Sequence, residues 1–365
     1  MSAGAVGALA NEPAVSAPDS DGMLLIRRRR TFLHGLYQLP NRPDGLRAAA
    51  DAGFHVVHGD GAADLEAAQK AGMYRWMTVG SKLEKITSRV EQFRRHPALL
   101  FWETEDEPSY QWKKAGPRVR PEVIREAYAL LKKLDPARAV YLNHAPTNLV
   151  STLQEYNPGG DLLATDIYPV IPPGIRSMYA LWPDGRQGDF LNDKISQVGR
   201  YMDKLREVAG EQRTALMVLQ AFAWENLREK DKDPRMIRYP SAAELRFMAF
   251  HSIVRGANGL LWWGLKFTPA ESGLWEQLAA LTKEIRSMET ELAAPALRFN
   301  ARVEYHDTGH SLDRGIEWIA KPSNTGPVVI AVNADSNLVE ATIHGVFAAP
   351  RRERWEPFGV RVLRA

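Results

Sequence analysis

The chain contains no cysteine among its 365 residues. Disulfide bonds, thiolate metal sites and a cysteine nucleophile are therefore excluded, while the cellular compartment stays open. The sequence also has no run approaching the roughly 20 apolar residues of a membrane span. Its net charge of +3, on 25% charged residues, creates no strong field toward nucleic acid or a membrane surface. We expect neither as a partner, and the oligomeric state stays open.

The start of the chain differs in composition from the rest. Residues 1–22 are rich in Ala, Gly, Ser and Pro and lack periodicity, which predicts a flexible leader. Residues 8–10 look like a signal cleavage site without the basic and apolar regions that precede one, and we expect a secreted or periplasmic protein. The basic run at residues 27–30 predicts a solvated hairpin turn rather than a nucleic-acid patch.

Short apolar or β-branched runs alternate with segments of helical period from residue 32 onward. Predicted strands occupy residues 32–39, 54–58, 74–79, 99–102, 139–143, 162–168, 216–222 and 260–263. Strand alternating with helix predicts parallel pairing, and these units together predict an α/β fold, a closed (β/α)8 TIM barrel within residues 23–295. An open doubly wound sheet is the alternative, weakened because no Gly-x-Gly-x-x-Gly follows the first strand.

The character of the sequence changes after Pro295. Short alternating runs separated by polar turns occupy residues 302–305, 317–320, 328–333, 338–343 and 360–363. This pattern predicts a small C-terminal antiparallel β-sandwich domain over residues 296–365. We expect this domain to pack against the barrel.

Four acids follow the fourth predicted strand within five residues: Glu103, Glu105, Asp106 and Glu107. Like charges at short range raise one another's pKa, so this cluster predicts a proton donor at neutral pH. The alternative is a solvated acidic loop, which applies to Glu103 and Glu105 in particular.

The carboxyl ends of the strands carry the active site in TIM barrels. The residues there that we predict to bind substrate are Tyr37, Trp102, Asn143, His144, Tyr168, Gln220, Trp224, Trp262 and Trp263. Trp262 and Trp263 are consecutive in a strand, so we expect one to face the mouth and the other the helices. Tyr179 and Trp182, in the loop after the sixth strand, are candidates for an aromatic platform under a flat ligand or for loop anchors. No histidine has a partner at metal-ligand spacing, so we expect no metal and no cofactor.

Several segments resemble one enzyme family. Trp102 followed five residues later by Glu107, within Asp106-Glu107-Pro108, resembles the fourth-strand acid/base motif of the (β/α)8 glycoside hydrolases that include cellulases and β-galactosidases, where Asn-Glu-Pro is usual. Residues 32–37 and 165–169 are similar to further segments of that superfamily. The resemblance implies a glycosidase acting on an oligo- or polysaccharide, with Glu107 as general acid.

One position departs from the family. Where the superfamily has its nucleophilic glutamate, the chain has Gln220, whose amide cannot form a glycosyl ester. The nearest carboxylates are Glu225 and Asp166, and either is a candidate base or nucleophile. A distant base implies inversion of the anomeric configuration.

Other interpretations of these residues stay open. Asp166 as a buried hydrogen-bond acceptor and Glu225 as a solvated loop acid are the structural alternatives. Because Gln220 is not a nucleophile, a catalytically reduced barrel that binds carbohydrate is the alternative function. A lyase or isomerase on the same barrel is a third.

Overall fold

The computed structural model of the chain describes residues 8–111, 116–178, 193–306, 312 and 314–364. Strands β1 (Ser16–Pro18), β2 (Leu24–Ile26) and β3 (Arg29–Thr31) form an antiparallel sheet. Arg27 and Arg28 turn the chain between β2 and β3 with φ of 50° and 66°, as in the tight hairpin turns that match strand twist. The hairpin turn predicted at residues 27–30 is present.

Part of the segment predicted as a flexible leader belongs to the folded body. Ala14 is fully buried against the barrel interior. The Ser16 hydroxyl donates to the carbonyl of Leu100 (2.5 Å) and accepts from the amide of Ala139 (3.1 Å). The prediction failed here because a three-residue strand held by a serine hydroxyl leaves no periodic signal in the sequence.

Eight parallel strands form a closed barrel, which confirms the predicted TIM-barrel fold. They are β4 (Leu33–Leu36), β5 (Val56–His58), β6 (Tyr74–Thr78), β7 (Leu99–Glu103), β8 (Ala139–His144), β9 (Leu162–Ile167), β10 (Thr214–Gln220) and β11 (Gly259–Trp263). β11 pairs with β4 and closes the barrel. The order of the strands around the barrel is their order in the chain, so neighbouring strand ends are also neighbours in sequence.

Helices surround the barrel strands. They are α1 (Gly45–Ala52), α2 (Ala62–Ala71), α3 (Leu83–Phe93), α4 (Pro121–Leu134), α5 (Val150–Gln154), α6 (Gln197–Ala209), α7 (Ala242–Val254), α8 (Leu274–Ser287) and α9 (Glu289–Ala293). On α6, the apolar stripe of Val198, Met202 and Leu205 is buried against the strands, as its 3.6-residue spacing predicts. None of the helices in the described ranges is both long and apolar enough to cross a membrane.

The C-terminal region consists of two three-stranded antiparallel sheets. Its strands are β12 (Arg302–Tyr305), β13 (Ile316–Ser323), β14 (Gly326–Asn333), β15 (Val339–His344), β16 (Arg351–Trp355) and β17 (Val360–Arg364). Side chains of both sheets share one apolar core. The Arg246 guanidinium on α7 donates to the carbonyl of Val360 (2.9 Å), which ties this domain to the barrel. The predicted β domain is confirmed, with β16 as an additional strand.

A buried ion pair anchors β7, the strand that leads into the acidic segment. The Arg138 guanidinium contacts the Asp135 carboxylate at 2.8 Å and donates to three carbonyl oxygens within residues 94–99. The indole of Trp102 donates to the same carboxylate oxygen (2.9 Å). All of these polar groups therefore have partners in a region without solvent, as buried charges require.

We expect Arg138→Met to lower the free energy of unfolding by about 3–5 kcal/mol, because the buried Asp135 carboxylate would lose its counter-charge. Chemical denaturation measures the change. The control is Arg125→Ala, since Arg125 is exposed and pairs with Glu122 on the surface of α4; its loss should stay below about 1 kcal/mol. Equal effects of the two variants would contradict the anchoring role.

Candidate active site

Four carboxyl groups gather at the mouth of the barrel, and we call them the acid cluster: Glu103, Asp106, Glu107 and Asp166. Glu103 ends β7 and pairs with Tyr141 of β8, while Asp166 lies near the end of β9. Alternate residues of a strand face the barrel interior. Because Tyr141 and Ala164 belong to the interior cluster, Glu103 and Asp166 face the same interior at its carboxyl end.

Glu107 and Asp166 form the central pair of the acid cluster. Their carboxyl groups are hydrogen-bonded to each other. Burial, then the charges of Asp166 and Asp106, raise the pKa of Glu107 well above its ordinary value. Burial and the Asp106 charge raise the pKa of Asp166 to about 7. Two carboxyls in contact share a proton, so Glu107 holds it and Asp166 is the more readily ionised partner.

The backbone at Glu107 is in an uncommon conformation. Its φ is 45°, in the left-handed region that non-glycine residues rarely adopt. The Glu107 amide donates to the carbonyl of Asn143 (3.1 Å), and the Glu107 carbonyl accepts from the amide of Tyr110 (3.0 Å). These bonds hold the strained residue over the end of β8, which is the kind of strain that concentrates at functional sites.

Asn143 bridges the acid cluster. Its Nδ2 donates to Asp106 Oδ1 (3.0 Å) and, more weakly, to Asp166 Oδ1 (3.5 Å). Part of the Asp106 side chain is accessible to solvent, although protein atoms surround its carboxyl group. These surroundings raise the pKa of Asp106, and the hydrogen bond from Asn143 opposes that rise. The Oδ1 atom of Asn143 is buried and has no partner among the described residues. The amide therefore fixes two acids and leaves one acceptor unused.

Glu103 lies deepest in the acid cluster, with 2% of its surface exposed. Its Oε2 accepts from Trp76 Nε1 (3.0 Å) and Thr78 Oγ1 (2.6 Å), and its Oε1 is buried with no partner in the described chain. Burial and the Asp106 charge raise the pKa of Glu103 to about 7. The solvated-loop alternative is therefore wrong for Glu103.

Two groups of aromatic side chains lie near the acid cluster. In the first, the hydroxyls of Tyr37 and Tyr141 are 2.7 Å apart. The second is an aromatic wall in which Tyr168 stacks on Trp263 with ring centroids 5.5 Å apart and an interplanar angle of 26°. The Trp224 indole donates to the Tyr168 carbonyl (3.1 Å) and supports that wall. Flat aromatic faces of this kind suit the apolar face of a ring ligand.

Two predicted substrate-binding tryptophans lie elsewhere. Trp102 and Trp262 are fully buried in the layer between strands and helices, where Trp262 Nε1 is bonded to a ring nitrogen of His34 (2.7 Å). They occupy the outward positions of their strands, whereas Trp263 is partly exposed and faces the mouth. The expectation that one of the consecutive pair faces each way agrees with this arrangement.

His144 also points away from the mouth, although we predicted it to bind substrate. It follows the inward Asn143 directly, so its side chain lies on the helix side and is fully buried. Burial lowers its pKa to about 4. The imidazole is therefore neutral and contributes no charge to the site.

Gln220 ends β10 but binds the backbone. Its Oε1 accepts from the amide of Val170 (2.8 Å), while its Nε2 donates to the carbonyls of Val170 and Phe222 (3.1 Å each). The side chain is fully buried. Its amide therefore holds the loop after β9 in place, which replaces the predicted role of hydrogen-bonding substrate.

Glu225, one of the two candidates to partner Glu107, is committed to ion pairs. Its fully buried carboxylate accepts from Arg228 Nε (2.9 Å) and from the amide of Asp233 (2.8 Å), with Arg176 at 3.6 Å. Burial alone would raise its pKa, but these bonds lower it below its ordinary value. Glu225 is therefore neither a solvated loop acid nor a free base, and Asp166 is the carboxylate next to Glu107.

The interior residues Tyr141 and Trp76 were not predicted from the sequence. Tyr141 lies two residues before Asn143, so the alternation of β8 was a signal for it. Among the described residues, no group of three or more His, Cys, Asp or Glu side chains has the arrangement of a metal site. Tyr179 and Trp182 lie outside the described residues.

Comparisons with known proteins add evidence on the fold. No protein-family model matches the chain, and no curated protein matches its sequence significantly. An FMN-binding β-glucuronidase from Facaelibacterium prausnitzii L2-6 is similar at 12% identity and a TM-score of 0.50, over 94% of this chain and 58% of that one. A β-galactosidase from the Antarctic haloarchaeon Halorubrum lacusprofundi is similar at 13% identity and a TM-score of 0.51, over 70% of this chain and 58% of that one. β-Glucuronidase 2 from Bacteroides uniformis is similar at 12% identity and a TM-score of 0.50, over 96% of this chain and 45% of that one. The chain thus covers about half the length of these enzymes. The likeness shows the shared barrel fold.

The raised pKa of Glu103 has a measurable consequence for stability. Its value rises from 4.5 to about 7 on folding, so the protonated form favours the folded state, and stability falls as pH rises through this window. Glu103→Gln keeps an acceptor for Trp76 and Thr78 but stays neutral. We expect the variant and the parent to have similar free energies of unfolding near pH 4, and the variant to be more stable by about 1–3 kcal/mol near pH 8.

Denaturant titrations at several pH values measure this difference. The matched control is Glu126→Gln, an exposed acid on α4, which should show no such trend. A difference between Glu103→Gln and parent that stays constant with pH would contradict the assignment.

Proposed function

We propose that the chain is a glycoside hydrolase that cleaves O-glycosidic bonds of an oligo- or polysaccharide. The observation that carries the proposal is the hydrogen-bonded pair of Glu107 and Asp166 at the barrel mouth. Glycoside hydrolysis requires two carboxyl groups on either side of the scissile bond, one protonated and one ionised. The barrels of the three similar structures belong to enzymes named for glycosidase activity, which supports the same class here.

In this mechanism Glu107 is the general acid. Its raised pKa keeps it protonated at neutral pH, so it can transfer a proton to the glycosidic oxygen as the bond to the anomeric carbon breaks. Asp166 supplies the carboxylate on the other side. Asn143 holds Asp166 in place through its side-chain amide.

The spacing of the pair favours Asp166 as nucleophile. Hydrogen-bonded carboxyls are closer than the roughly 5–5.5 Å of retaining glycosidases and much closer than the roughly 6.5–9.5 Å of inverting ones. A bound substrate must move the two carboxyl groups apart in either mechanism. The retaining mechanism needs the smaller separation and therefore the smaller rearrangement. Asp166 then forms a glycosyl ester, and the ionised Glu107 takes a proton from the water that hydrolyses it.

Aromatic and hydroxyl groups of the mouth would hold the sugar. The stacked rings of Tyr168 and Trp263 offer a flat face for a pyranose. The paired hydroxyls of Tyr37 and Tyr141 lie beside Glu103 and Asp106, whose charges act on both tyrosines, and are further hydrogen-bonding groups. The Trp224 indole supports the stacked pair of Tyr168 and Trp263 through its hydrogen bond to the Tyr168 carbonyl.

One observation favours a second candidate, a carbohydrate-binding barrel without turnover. The end of β10 carries Gln220, whose amide is bonded entirely to backbone groups, so that strand presents no carboxylate to the mouth. In this case Glu107 and Asp166 would bind hydroxyl groups and remain in contact. Sugar binding with no hydrolysis of any glycoside would favour this candidate.

We expect Glu107→Gln to lower kcat by about 100-fold or more on a glycoside with a poor leaving group, because the amide cannot donate the required proton. Asp166→Asn should cause a loss of similar size. The control is Glu105→Gln, since Glu105 bonds to Ser81 (2.7 Å) at the edge of the segment and should keep most of the activity. Near-normal turnover by Glu107→Gln would show that Glu107 is not the acid.

We expect the first-formed product to retain the anomeric configuration of the substrate. This differs from the inversion that the sequence implies, because Asp166 contacts Glu107 directly, whereas Glu225, the other candidate base, is engaged by Arg228 and the Asp233 amide. Proton NMR of the fresh hydrolysate distinguishes the two anomers. An inverted product would indicate that a water molecule held between the two carboxyl groups attacks the sugar, and it would exclude Asp166 as nucleophile.

A further inference from the structure

Among the residues that the structure describes, the mouth of the barrel has more acidic than basic groups. The carboxyl groups of Glu105 and the four members of the acid cluster act on one another there. Among the described residues, Arg118 and His58 are basic groups whose charges act on the acid cluster. Burial lowers the pKa of His58, which reduces its positive charge at neutral pH. Each carboxyl that ionises in the mouth therefore adds to a negative field.

Two buried acceptors in the mouth have no donor. They are Glu103 Oε1 and Asn143 Oδ1, on side chains that are 2% and 4% exposed. Glu103 pairs with Tyr141, and Asn143 lies two residues further along the same strand, so both acceptors face the interior of the barrel on adjacent strands. A buried acceptor without a partner is costly, and a donor from a ligand would remove that cost.

The orientation of Asn143 is fixed by its neighbours. Its Nδ2 faces the carboxylate oxygens of Asp106 and Asp166. Rotating the amide by half a turn would give up both donated bonds and turn Oδ1 toward these oxygens, where it would repel whichever carboxyl is ionised. The unused atom is therefore an acceptor, which is an observation independent of the acid count.

We propose that this mouth selects a sugar with a free protonated amine over a neutral sugar and rejects a sugar carboxylate, an inference about substrate class that rests on the proposed function. An ammonium group has three donors and no acceptor, so it matches two unused acceptors in a negative field. The carboxylate of a uronic acid brings only acceptors and a like charge. It would leave both buried atoms unsatisfied.

The test is binding of monosaccharides to the full chain by calorimetry near neutral pH and low salt. The probes are glucosamine, N-acetylglucosamine, glucose and glucuronate, together with the corresponding galacto series. N-acetylglucosamine is the matched control because it keeps the ring and nitrogen but has no charge. In at least one series we expect the amino sugar to bind about tenfold or more tightly than its neutral parent, since bonds to charged groups exceed neutral ones by this order. The uronate should show no binding.

A variant locates the effect in the acid cluster. Glu103→Gln cannot ionise and fills the position of the unused acceptor with a donor, so the preference for amino over neutral sugar should fall several-fold. Glu126→Gln, on the surface of α4, should leave the preference unchanged. The same panel with added salt should show a smaller preference, because salt screens charge interactions.

The outcomes separate this inference from the proposed function. If amino sugars bind preferentially but no amino-sugar glycoside is hydrolysed, the selectivity stands and the hydrolase proposal fails. Hydrolysis of glucuronides or of neutral glycosides, with amino sugars bound no more tightly, overturns the selectivity and supports the hydrolase. Absence of binding by every amino sugar overturns it as well.

Discussion

The contact between the carboxyls of Glu107 and Asp166 is the interaction on which the rest of the site depends. Two such groups stay together only while they share a proton, and a buried pair holds that proton at higher pH than an exposed one. The surrounding structure enforces the contact. Asn143 donates to Asp166 from one side, and the left-handed backbone of Glu107 brings the other carboxyl over the end of β8. The pair therefore holds a proton, which the proposed mechanism would transfer to the leaving group.

Groups that never touch the mouth maintain this geometry. The buried pair of Arg138 and Asp135 fixes the start of β7, so the acidic segment at its end begins from a rigid strand. Gln220 does the same for the loop after β9, by bonding both the amide and the carbonyl of Val170. The position that the sequence marks as a missing nucleophile is thus a structural support for the strand end that carries Asp166.

The sequence predicted the barrel and the strand end that leads to Glu107, because both depend on local patterns. Strand–helix alternation defines the fold, and the spacing between Trp102 and Glu107 marks the strand end. The sequence did not predict which strand residues face inward. Trp102 and His144 each lie one residue away from an inward-facing position, so their side chains face the helices. A register shift between β6 and β7 at residues 75–76 also leaves no signal in the sequence. The contacts of Glu225 with Arg176 and Asp233 also depend on how distant loops meet.

The raised pKa values in the mouth have two causes, the burial of the carboxyl groups and the charge of Asp106 beside them. Glu103 and Asp166 have pKa values of about 7, whereas that of Glu107 is well above its ordinary range. A cation entering the mouth would favour the ionised carboxyls, and Glu103 and Asp166 would release their protons before Glu107 does. In the proposed mechanism, the ligand charge would then ionise Asp166 as the nucleophile while Glu107, as the general acid, keeps its proton. In this way one electrostatic environment supports both the selection of a ligand and the division of roles between two carboxyls.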